Sequence, residues 1–393
     1  MLSISIVVPC LNEANTIEGC IKRARQTLGH LNIPAWEIIV ADNGSTDGSQ
    51  QIITGSGAAL VLVPVTGYGA ALDAGIRSAN FEWIIFADGD SSYDFSDIGN
   101  FIPLMNASND FIIGNRFSGN IEKGAMPFLH RYIGTPVISF IGRRSFGVNI
   151  SDFNCGMRAI KKTAYEQLDM LSNGMEFATE MIAKASISKL KIAEVPVNLF
   201  IDKRGRKPHL NTWRDGWKHL RLILLLSPRL LLLYPAILFL LTGIFLSGAL
   251  LFSYIKIFEL ILDIHTLYYA SIMLMVGLQL LQFYVIARLF ASNTGLDIQS
   301  NFSSGVQKLL SFERSLIAGA VLLFSGIAFT FFALYKWKLA NFGPLDPVYI
   351  FRIIIPAGFC IATGMQVIVF GFLLYTIRQL AQSKKNKRSA AIL

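Results

Sequence analysis

Residues 83–90 read Trp-Ile-Ile-Phe-Ala-Asp-Gly-Asp. An apolar run this short, cut off by two aspartates around a glycine, is a buried strand whose carboxyl end opens into an acidic turn. The same figure recurs on either side. Apolar runs rich in β-branched residues lie at 4–8, 37–41, 60–63 and 111–113, and helical stretches at 14–28, 49–53, 70–79 and 96–105 separate them. Alternating strands and helices predict an α/β domain with a mostly parallel sheet covered on both faces, whose ligands bind beyond the carboxyl ends of the strands. The polar motifs fall at those ends. Asn12-Glu13 follows the first strand, Asp42-Asn43-Gly44-Ser45-Thr46-Asp47-Gly48 the second, Gly67-Tyr68-Gly69 the third and Asp88-Gly89-Asp90 the fourth.

From Leu222 onward the solvent changes. Of the 393 residues, 53% are hydrophobic and only 16% charged, with 35 Lys and Arg against 26 Asp and Glu for a net charge of +9. That excludes a disordered chain and argues against an ordinary soluble enzyme. Spanning a bilayer takes about 20 mostly apolar residues, and the segments 230–254, 267–290, 316–337 and 349–375 meet that length. The first residues run straight from Met1 through an apolar stretch into Asn12 and Glu13 without a basic leader, so they are expected to form a strand and not a signal peptide. Cys10, Cys20, Cys155 and Cys360 show no C-x-x-C pairing or short spacing, which points to a reducing setting for the soluble part.

Loop charges set the expected orientation, because Lys and Arg accumulate on the cytoplasmic side. Lys203, Arg204, Arg206, Lys207, Arg214, Lys218, Arg221 and Arg229 precede the first span. Arg288, Lys308 and Arg314 lie between the second and third, and Arg378, Lys384, Lys385, Lys387 and Arg388 follow the fourth. The opposite loops hold only Lys256, Lys336, Lys338 and Arg352. The expectation is an integral multi-pass protein of the plasma (inner) membrane with its catalytic domain and both termini cytoplasmic. It divides into a cytosolic domain (1–208), an amphipathic interfacial helix region (209–228), a four-helix membrane domain (229–378) and a basic tail (379–393). The interfacial reading rests on Trp, Leu and cations interleaved over 209–226; an ordinary surface helix packed on the soluble domain is its alternative.

Several chemistries are excluded at once. A G-x-G-x-x-G would have to join the first strand to the first helix, where Pro-Cys-Leu-Asn-Glu-Ala-Asn stands instead; Leu72 occupies the third glycine position after Gly67 and Gly69, and no P-loop occurs. Tyr93 rules out an EF-hand turn. Without a glycine-rich cradle a divalent cation can bridge the oxygens of a diphosphate, and Mg²⁺ needs only one or two carboxylates besides water and phosphate. Asp88 and Asp90, with Asp94 nearby, suit that task.

Taken in order, Val-Val-Pro-Cys-Leu-Asn-Glu (7–13), Ala-Asp-Asn-Gly-Ser-Thr-Asp-Gly (41–48), Asp-Gly-Asp (88–90) and Gly-Asn-Arg-Phe (114–117) resemble the family 2 glycosyltransferases. The stretch Asp152-Phe-Asn-Cys-Gly-Met-Arg158, then Glu176-Phe-Ala-Thr-Glu180, Glu194-Val-Pro-Val and Lys203-Arg-Gly-Arg-Lys207, is similar to the branch of dolichyl-phosphate mannose synthases and polyprenyl-phosphate glucosyltransferases. The resemblance covers about residues 1–225, and the four following spans resemble one subgroup of that branch. It implies a Rossmann-like GT-A fold and inverting, metal-dependent transfer of a single hexose from a nucleotide-sugar of UDP-glucose or GDP-mannose type to a polyprenyl or dolichyl phosphate. It places Pro9, Glu13, Asp42, Gly69, Asp88 and Gly89 at the nucleotide-sugar, and Asp88 and Asp90 at Mg²⁺ or Mn²⁺. Arg116, Arg131, Arg204 and Lys207 would face the lipid phosphate, with Asp90, Arg116 and Glu180 as the catalytic set. Two departures stand out: Asn43 where a second Asp is more usual, and Ser92 where some relatives supply a Gln metal ligand.

A phosphate monoester, with a second pKa of about 6, is already an anionic nucleophile at neutral pH and needs no strong base. A hydroxyl acceptor, as in glycolipid or polysaccharide synthesis, would instead make Glu180 or Asp152 indispensable. Glu176 and Glu180, four residues apart, share a helix face and are candidates to orient sugar hydroxyls. A processive synthase would carry Gln-x-x-Arg-Trp, which is absent. A transporter or flippase is the distant alternative, because intramembrane charges usually mark transport paths and these spans offer mainly Gln279, Gln282 and Gln366 as helix-joining groups. His130, His209 and His219 take no role. The expected partners are the donor, the lipid acceptor and the bilayer, with no nucleic acid and with a homo-oligomer left open.

Overall fold

The computed structural model describes residues 2–203, 212–294 and 311–390, with side chains at 212, 213, 215, 290–294 and 380–390 left aside. Two compact units, Met1–Ser227 and Pro228–Leu393, make up the chain.

The first unit is a seven-stranded sheet in the order β3-β2-β1-β4-β6-β5-β7. Its strands are β1 (Ser3–Cys10), β2 (Ala35–Asp42), β3 (Ala59–Leu62), β4 (Trp83–Phe86), β5 (Phe111–Asn115), β6 (Arg158–Lys161) and β7 (Ile192–Pro196). β1 pairs parallel to both β2 and β4, β2 to β3 and β5 to β7; only β6 is antiparallel, to β4 and β5. This is the mostly parallel, Rossmann-like GT-A arrangement, and the five strands expected from the sequence are all present. β6 and β7 were not foreseen. β6 is four residues beginning with the polar Arg158, and Ile192–Pro196 has too few apolar positions to stand out.

Because β1 lies between β2 and β4, the chain runs outward in both directions from it, and the loops leaving β1 and β4 part to form a crevice at their carboxyl ends. Helices cover the faces: α1 (Ile17–His30), α2 (Ser49–Gly55), α3 (Tyr68–Ser78), α4 (Ile98–Asn106), α5 (Thr135–Phe146), α6 (Lys162–Glu166) and α7 (Phe177–Ile187). α1 buries Ile17, Cys20, Ile21, Ala24 and Leu28, the spacing of one helix face. The following α8 (Thr212–Leu226) packs on α5 and α7. It buries His219 and Ile223 while Arg214, Trp217, Arg221 and Leu225 stay exposed. The exposed side therefore mixes cations with Trp and Leu, and the inner side packs on the domain.

The second unit holds α9 (Tyr234–Leu250), α10 (Ile264–Thr294), α11 (Phe312–Leu339) and α12 (Pro347–Ala390), with a hairpin of β8 (Ile255–Ile257) and β9 (Leu260–Leu262) after α9. Among the described residues four stretches are long and apolar enough to cross a membrane: Arg229–Leu250, Ile264–Leu289, Phe312–Leu339 and Pro347–Gln379. They overlap the four expected spans, and the chain is a membrane protein. α9 packs with α10, α11 with α12, and α10 joins α12. Small residues permit the close approach, since lipid supplies no hydrophobic drive between helices. A Cβ on Gly364 would lie 2.6 Å from the Leu323 nitrogen, and one on Gly319 would lie 2.7 Å from the Gly364 carbonyl. Gln366 donates to Gln282 at 3.0 Å, joining α12 to α10.

Candidate active site

The loops after β1 and β2 are stitched together by side chains. Cys10 lies opposite Asp42 in the ladder. Beyond it Asn12, in the left-handed conformation that Asn tolerates, accepts the Thr46 N–H at 2.8 Å, while Ser45 Oγ accepts the Asn12 N–H at 2.8 Å. Asp47 accepts from Ala14 at 2.9 Å, and Ser49 Oγ from the Glu13 N–H at 3.0 Å. The result is a polar cradle with two buried carboxylates on adjacent loops, Glu13 and Asp42. Asp42 Oδ2 accepts from Gly44, Ser45 and Gln50, but Oδ1 is buried with no partner. An orphaned acceptor of this kind calls for an explanation, and a ligand N–H or O–H supplies one.

Asn43 is accounted for by its amide. Oδ1 accepts the Gly67 N–H at 2.6 Å and Nδ2 donates to the Val65 carbonyl at 2.7 Å, a pairing that a carboxylate could not make. Gly67, at φ 142°, and Gly69 both press on the segment 172–174: a Cβ on either would lie within 2.4 Å of a backbone carbonyl. The Gly69 N–H donates to the Asn173 carbonyl at 2.8 Å. Gly69 is therefore a packing glycine whose N–H is engaged by the Asn173 carbonyl.

Asp88 and Asp90 stand at the end of β4. Tyr68 donates its hydroxyl to Asp88 Oδ1 at 2.8 Å, and burial together with that carboxylate pushes the phenol well above its ordinary pKa. Asp90 is buried, its Oδ1 accepting from Ser92 N–H at 2.9 Å and Ser92 Oγ at 2.5 Å. Ser92 thus orients Asp90. Gly89 sits against the end of β1, where a Cβ would lie 3.2 Å from the Pro9 carbonyl, and its own carbonyl accepts from Thr16 Oγ1 at 2.7 Å. Asp94 faces another task, capping the short helical turn Phe95–Asp97 through the Ser96 N–H. Two carboxylates at one strand end are hard oxygen donors of the kind that suits Mg²⁺ or Mn²⁺, and with no cluster of three His, Cys, Asp or Glu among the described residues the donor set does not fit a structural zinc.

Beside this pair opens a cavity of about 460 Å³. Its lining combines polar groups, among them Tyr68, Asp88, Arg116 and Asn154, with apolar ones, among them Met126, Leu129, Ile133 and Ile138 and, from α8, Trp217 and Leu220. Arg116 is held in a fork by Asp152, Nε to Oδ2 at 2.7 Å and Nη2 to Oδ1 at 2.8 Å. Burial opposes the guanidinium's charge, yet the Asp152 carboxylate more than offsets it and holds its pKa well above the ordinary value. Asp152 is itself fixed by Glu194, which accepts the N–H groups of Ser151 and Asp152. The fully buried Arg158 clamps the carbonyls of Phe153, Cys155 and Ala178. His130 lines the cavity, its pKa lowered by burial and then by Arg116. His219 lines it as well, its Nδ1 2.7 Å from Thr179 Oγ1.

Other expected residues lie elsewhere. Glu180 faces inward on α7, accepting the N–H groups of Leu171 at 3.0 Å and Ser172 at 2.7 Å and pairing with Lys184 at 2.7 Å. It is a buried loop anchor and not an open carboxylate, because both oxygens are occupied. Burial acts to raise its pKa, but the hydrogen bonds from Lys184 and Ser172 outweigh that and lower it. The charged form is therefore the stabilising one: its contribution is full above the unfolded value of about 4.5 and is lost as pH falls through the lower folded value. Glu180→Gln is expected to cost about 2 kcal/mol at pH 7, with the gap in melting temperature to the native protein closing below pH 4.5. A gap that persists unchanged at low pH would contradict this.

Arg131 is not among the cavity-lining residues and lies over the ring of Tyr132, 5.6 Å from its centroid. Glu176 precedes α7 with Oε2 buried and unpartnered. Arg204, Lys207 and His209 fall outside the described residues. Sequence reasoning missed Tyr68, Asn154, His219 and Trp217. Tyr68 sat between two glycines that drew the attention, and His219 and Trp217 belong to a stretch whose composition suggested only a membrane surface.

The description "Glycosyl transferase family 2" matches residues 5–169, and "Glycosyltransferase family 2 C-terminal transmembrane region" matches 285–378. The low-salt glycan biosynthesis hexosyltransferase Agl6 of Haloferax volcanii is 29% identical over 373 residues, covering 95% of this chain and 88% of the relative. A dolichyl-phosphate hexose transferase of the same organism is 27% identical over 161 residues, 40% of this chain and 68% of the relative. Among solved structures, glucosyl-3-phosphoglycerate synthase from Mycobacterium tuberculosis in complex with phosphoglyceric acid aligns with a TM-score of 0.45 at 20% identity, over 57% of this chain and 79% of that one.

Proposed function

Because the chain belongs to glycosyl transferase family 2 and carries that family's C-terminal membrane region, we propose that it transfers a single hexose, with inversion, from a nucleotide-sugar to a polyprenyl or dolichyl phosphate. The observation that carries this reading is the mixed lining of one cavity: Asp88 and Arg116 stand in it together with Met126, Leu129, Ile133, Ile138 and, from α8, Trp217 and Leu220. An acceptor with a phosphate head and a long hydrocarbon tail suits both kinds of group, and a sugar or glycan acceptor suits only the polar ones. The dolichyl-phosphate hexose transferase relative agrees with it.

The state of the carboxylates supports a phosphate nucleophile. A hydroxyl acceptor needs a general base, and two of the carboxylates that could serve are engaged, Asp152 with Arg116 and Glu180 with Lys184 and two N–H groups; Glu176, whose Oε2 has no partner, is the carboxylate that a hydroxyl acceptor would call on. A phosphate monoester is anionic at neutral pH. Its oxygen forms the new bond to the anomeric carbon from the face opposite the departing diphosphate, the old carbon–oxygen bond breaks with its electron pair leaving on the diphosphate, and no proton has to move. Arg116 offsets the negative charge brought by the acceptor, Glu13 and Asp42 receive the nucleoside, and the loop 152–158 closes one side of the cavity. Asp88 and Asp90 would hold a divalent cation, whose chemistry there is to neutralise charge on the diphosphate.

The four-helix domain, residues 229–378, anchors the catalytic domain to the bilayer, and α8 lies at the interface with Arg214, Trp217, Arg221 and Leu225 outward. Loop charges favour a cytosolic catalytic domain and termini. The reading is tested in detergent with Mn²⁺ or Mg²⁺, a polyprenyl phosphate and a panel of UDP- and GDP-sugars. A lipid gaining one hexose in the mass spectrum, dependent on metal, is the expected product. Nucleotide release only with a hydroxyl acceptor such as diacylglycerol would overturn it.

A further inference from the structure

Asn154 has no role in the chemistry above, yet it is placed with unusual care. Its carbonyl neighbours in the chain, Phe153 and Cys155, are both fastened by the buried guanidinium of Arg158, at 2.9 and 2.8 Å. Its own N–H donates to Asp152 Oδ1 at 3.3 Å, on the same carboxylate that grips Arg116. Two residues on, the Gly156 N–H donates to Tyr93 at 2.8 Å, and the backbone there runs so close to the acidic pair that a Cβ on Gly156 would lie 2.8 Å from Asp88 Oδ2. The segment is therefore rigid on both sides of Asn154. The side chain lines the cavity that also holds Asp88, Arg116 and Tyr68, and its Oδ1 is buried without a hydrogen-bond partner.

A buried amide oxygen left without a donor costs stability unless a ligand completes it. The donor must carry a proton. Diphosphate and ionised lipid-phosphate oxygens are acceptors, so they cannot pair with a carbonyl oxygen; a hexose hydroxyl can. We propose that Asn154 Oδ1 accepts a hydrogen bond from a hydroxyl of the hexose carried by the donor, making it a specificity-determining residue at the sugar subsite. The inference rests on the sugar-nucleotide reading given above. The geometric basis is preorganisation: the backbone that carries the amide is held before the sugar arrives, so a hydroxyl of the wrong configuration leaves a buried polar group unpaired, which discriminates more strongly than lost apolar contact.

Calorimetric titration of the full-length protein in detergent with Mn²⁺, using UDP-glucose and UDP as probes with GDP-mannose and GDP as the alternative pair, separates the sugar from the nucleotide. Asn154→Leu is expected to weaken the sugar nucleotide that the native protein binds by about 10- to 30-fold, while the matching nucleoside diphosphate binds within about twofold. Asn154→Asp keeps an acceptor oxygen and is expected to lose less on the sugar nucleotide than Asn154→Leu; Asn154→Ala, with a melting curve, guards against a misfolded leucine variant. Equal weakening of nucleotide and sugar nucleotide in Asn154→Asp would place the amide at a phosphate and overturn the proposal, as would unchanged binding in Asn154→Leu and Asn154→Ala. Native protein that binds neither pair removes the donor reading, and this inference with it; native protein that binds both while the variants do not discriminate sinks the inference alone.

Discussion

Asp90→Ala is expected to lower turnover at least a hundredfold in the mass-spectrometric lipid assay while the protein still folds. The carboxylate is buried, and its Oδ1 is oriented by the Ser92 N–H and hydroxyl, so the charge is held in place before any ligand arrives. Removing a preorganised partner of developing charge commonly costs about 3 kcal/mol of transition-state stabilisation, and losing a metal ligand costs at least that. Stability should change by only about 1 kcal/mol, the worth of the Ser92 hydrogen bonds, because the Asp90 carbonyl still accepts from the Lys203 N–H. Asp90→Asn separates the two effects: it keeps the shape and the contact with Ser92, so its melting temperature should match the native protein while turnover falls as far as in the alanine variant. Near-native turnover in either variant would remove Asp90 from the site.

The second large effect is expected at Arg116, where structure and activity are coupled. Arg116→Ala strips the partner from a fully buried Asp152 carboxylate, and breaking a buried ion pair from one side costs about 3–5 kcal/mol. The same substitution removes the cation that lines the cavity beside Asp88. The double variant Arg116→Met with Asp152→Asn tells the roles apart. Removing both charges relieves the unpaired carboxylate, so the melting temperature should recover most of the loss, whereas turnover should stay at the level of the single variant. If turnover recovers along with stability, Arg116 acts only as a scaffold for the 152–158 loop and not on the acceptor phosphate. Arg116→Lys should behave as an intermediate case, since one ammonium cannot reproduce the forked contact at 2.7 and 2.8 Å.

The acidic turn at Asp88 and Asp90 was legible because it follows a short apolar strand, and that context lies within eight residues of sequence. Glu180 shows the opposite case. Its spacing from Glu176 is a fact of one helix, but its meaning depends on Leu171 and Ser172, whose N–H groups reach it only once the preceding loop has folded back over α7. A carboxylate at a helix face looks the same in sequence whether it points at substrate or at the loop behind it. Arg158 is similar. Its guanidinium joins three carbonyls from two places in the chain, the loop at 153–155 and Ala178, and nothing in the residues between them announces that it is buried. The composition of helix α8 suggests a membrane surface, while its lining of the cavity through Trp217, His219 and Leu220 follows from its packing on α5 and α7.

The sequence by itself determined the two solvents of the chain, the positions of the first five strands, the four spans and the acidic strand ends. Each of these is written in local hydrophobic periodicity or in a run long enough to cross a bilayer, and so needs no knowledge of what lies opposite. The tertiary structure alone decided which polar groups remain open. Asp152 and Asn43 are consumed by partners more than 20 residues away and Glu180 and Arg158 mostly by nearer ones, whereas Asp42 Oδ1 and Asn154 Oδ1 are left buried and unpaired. Whether a buried polar atom is satisfied depends on distances of about 3 Å between separate segments, and those distances exist only after the sheet has brought the loops together.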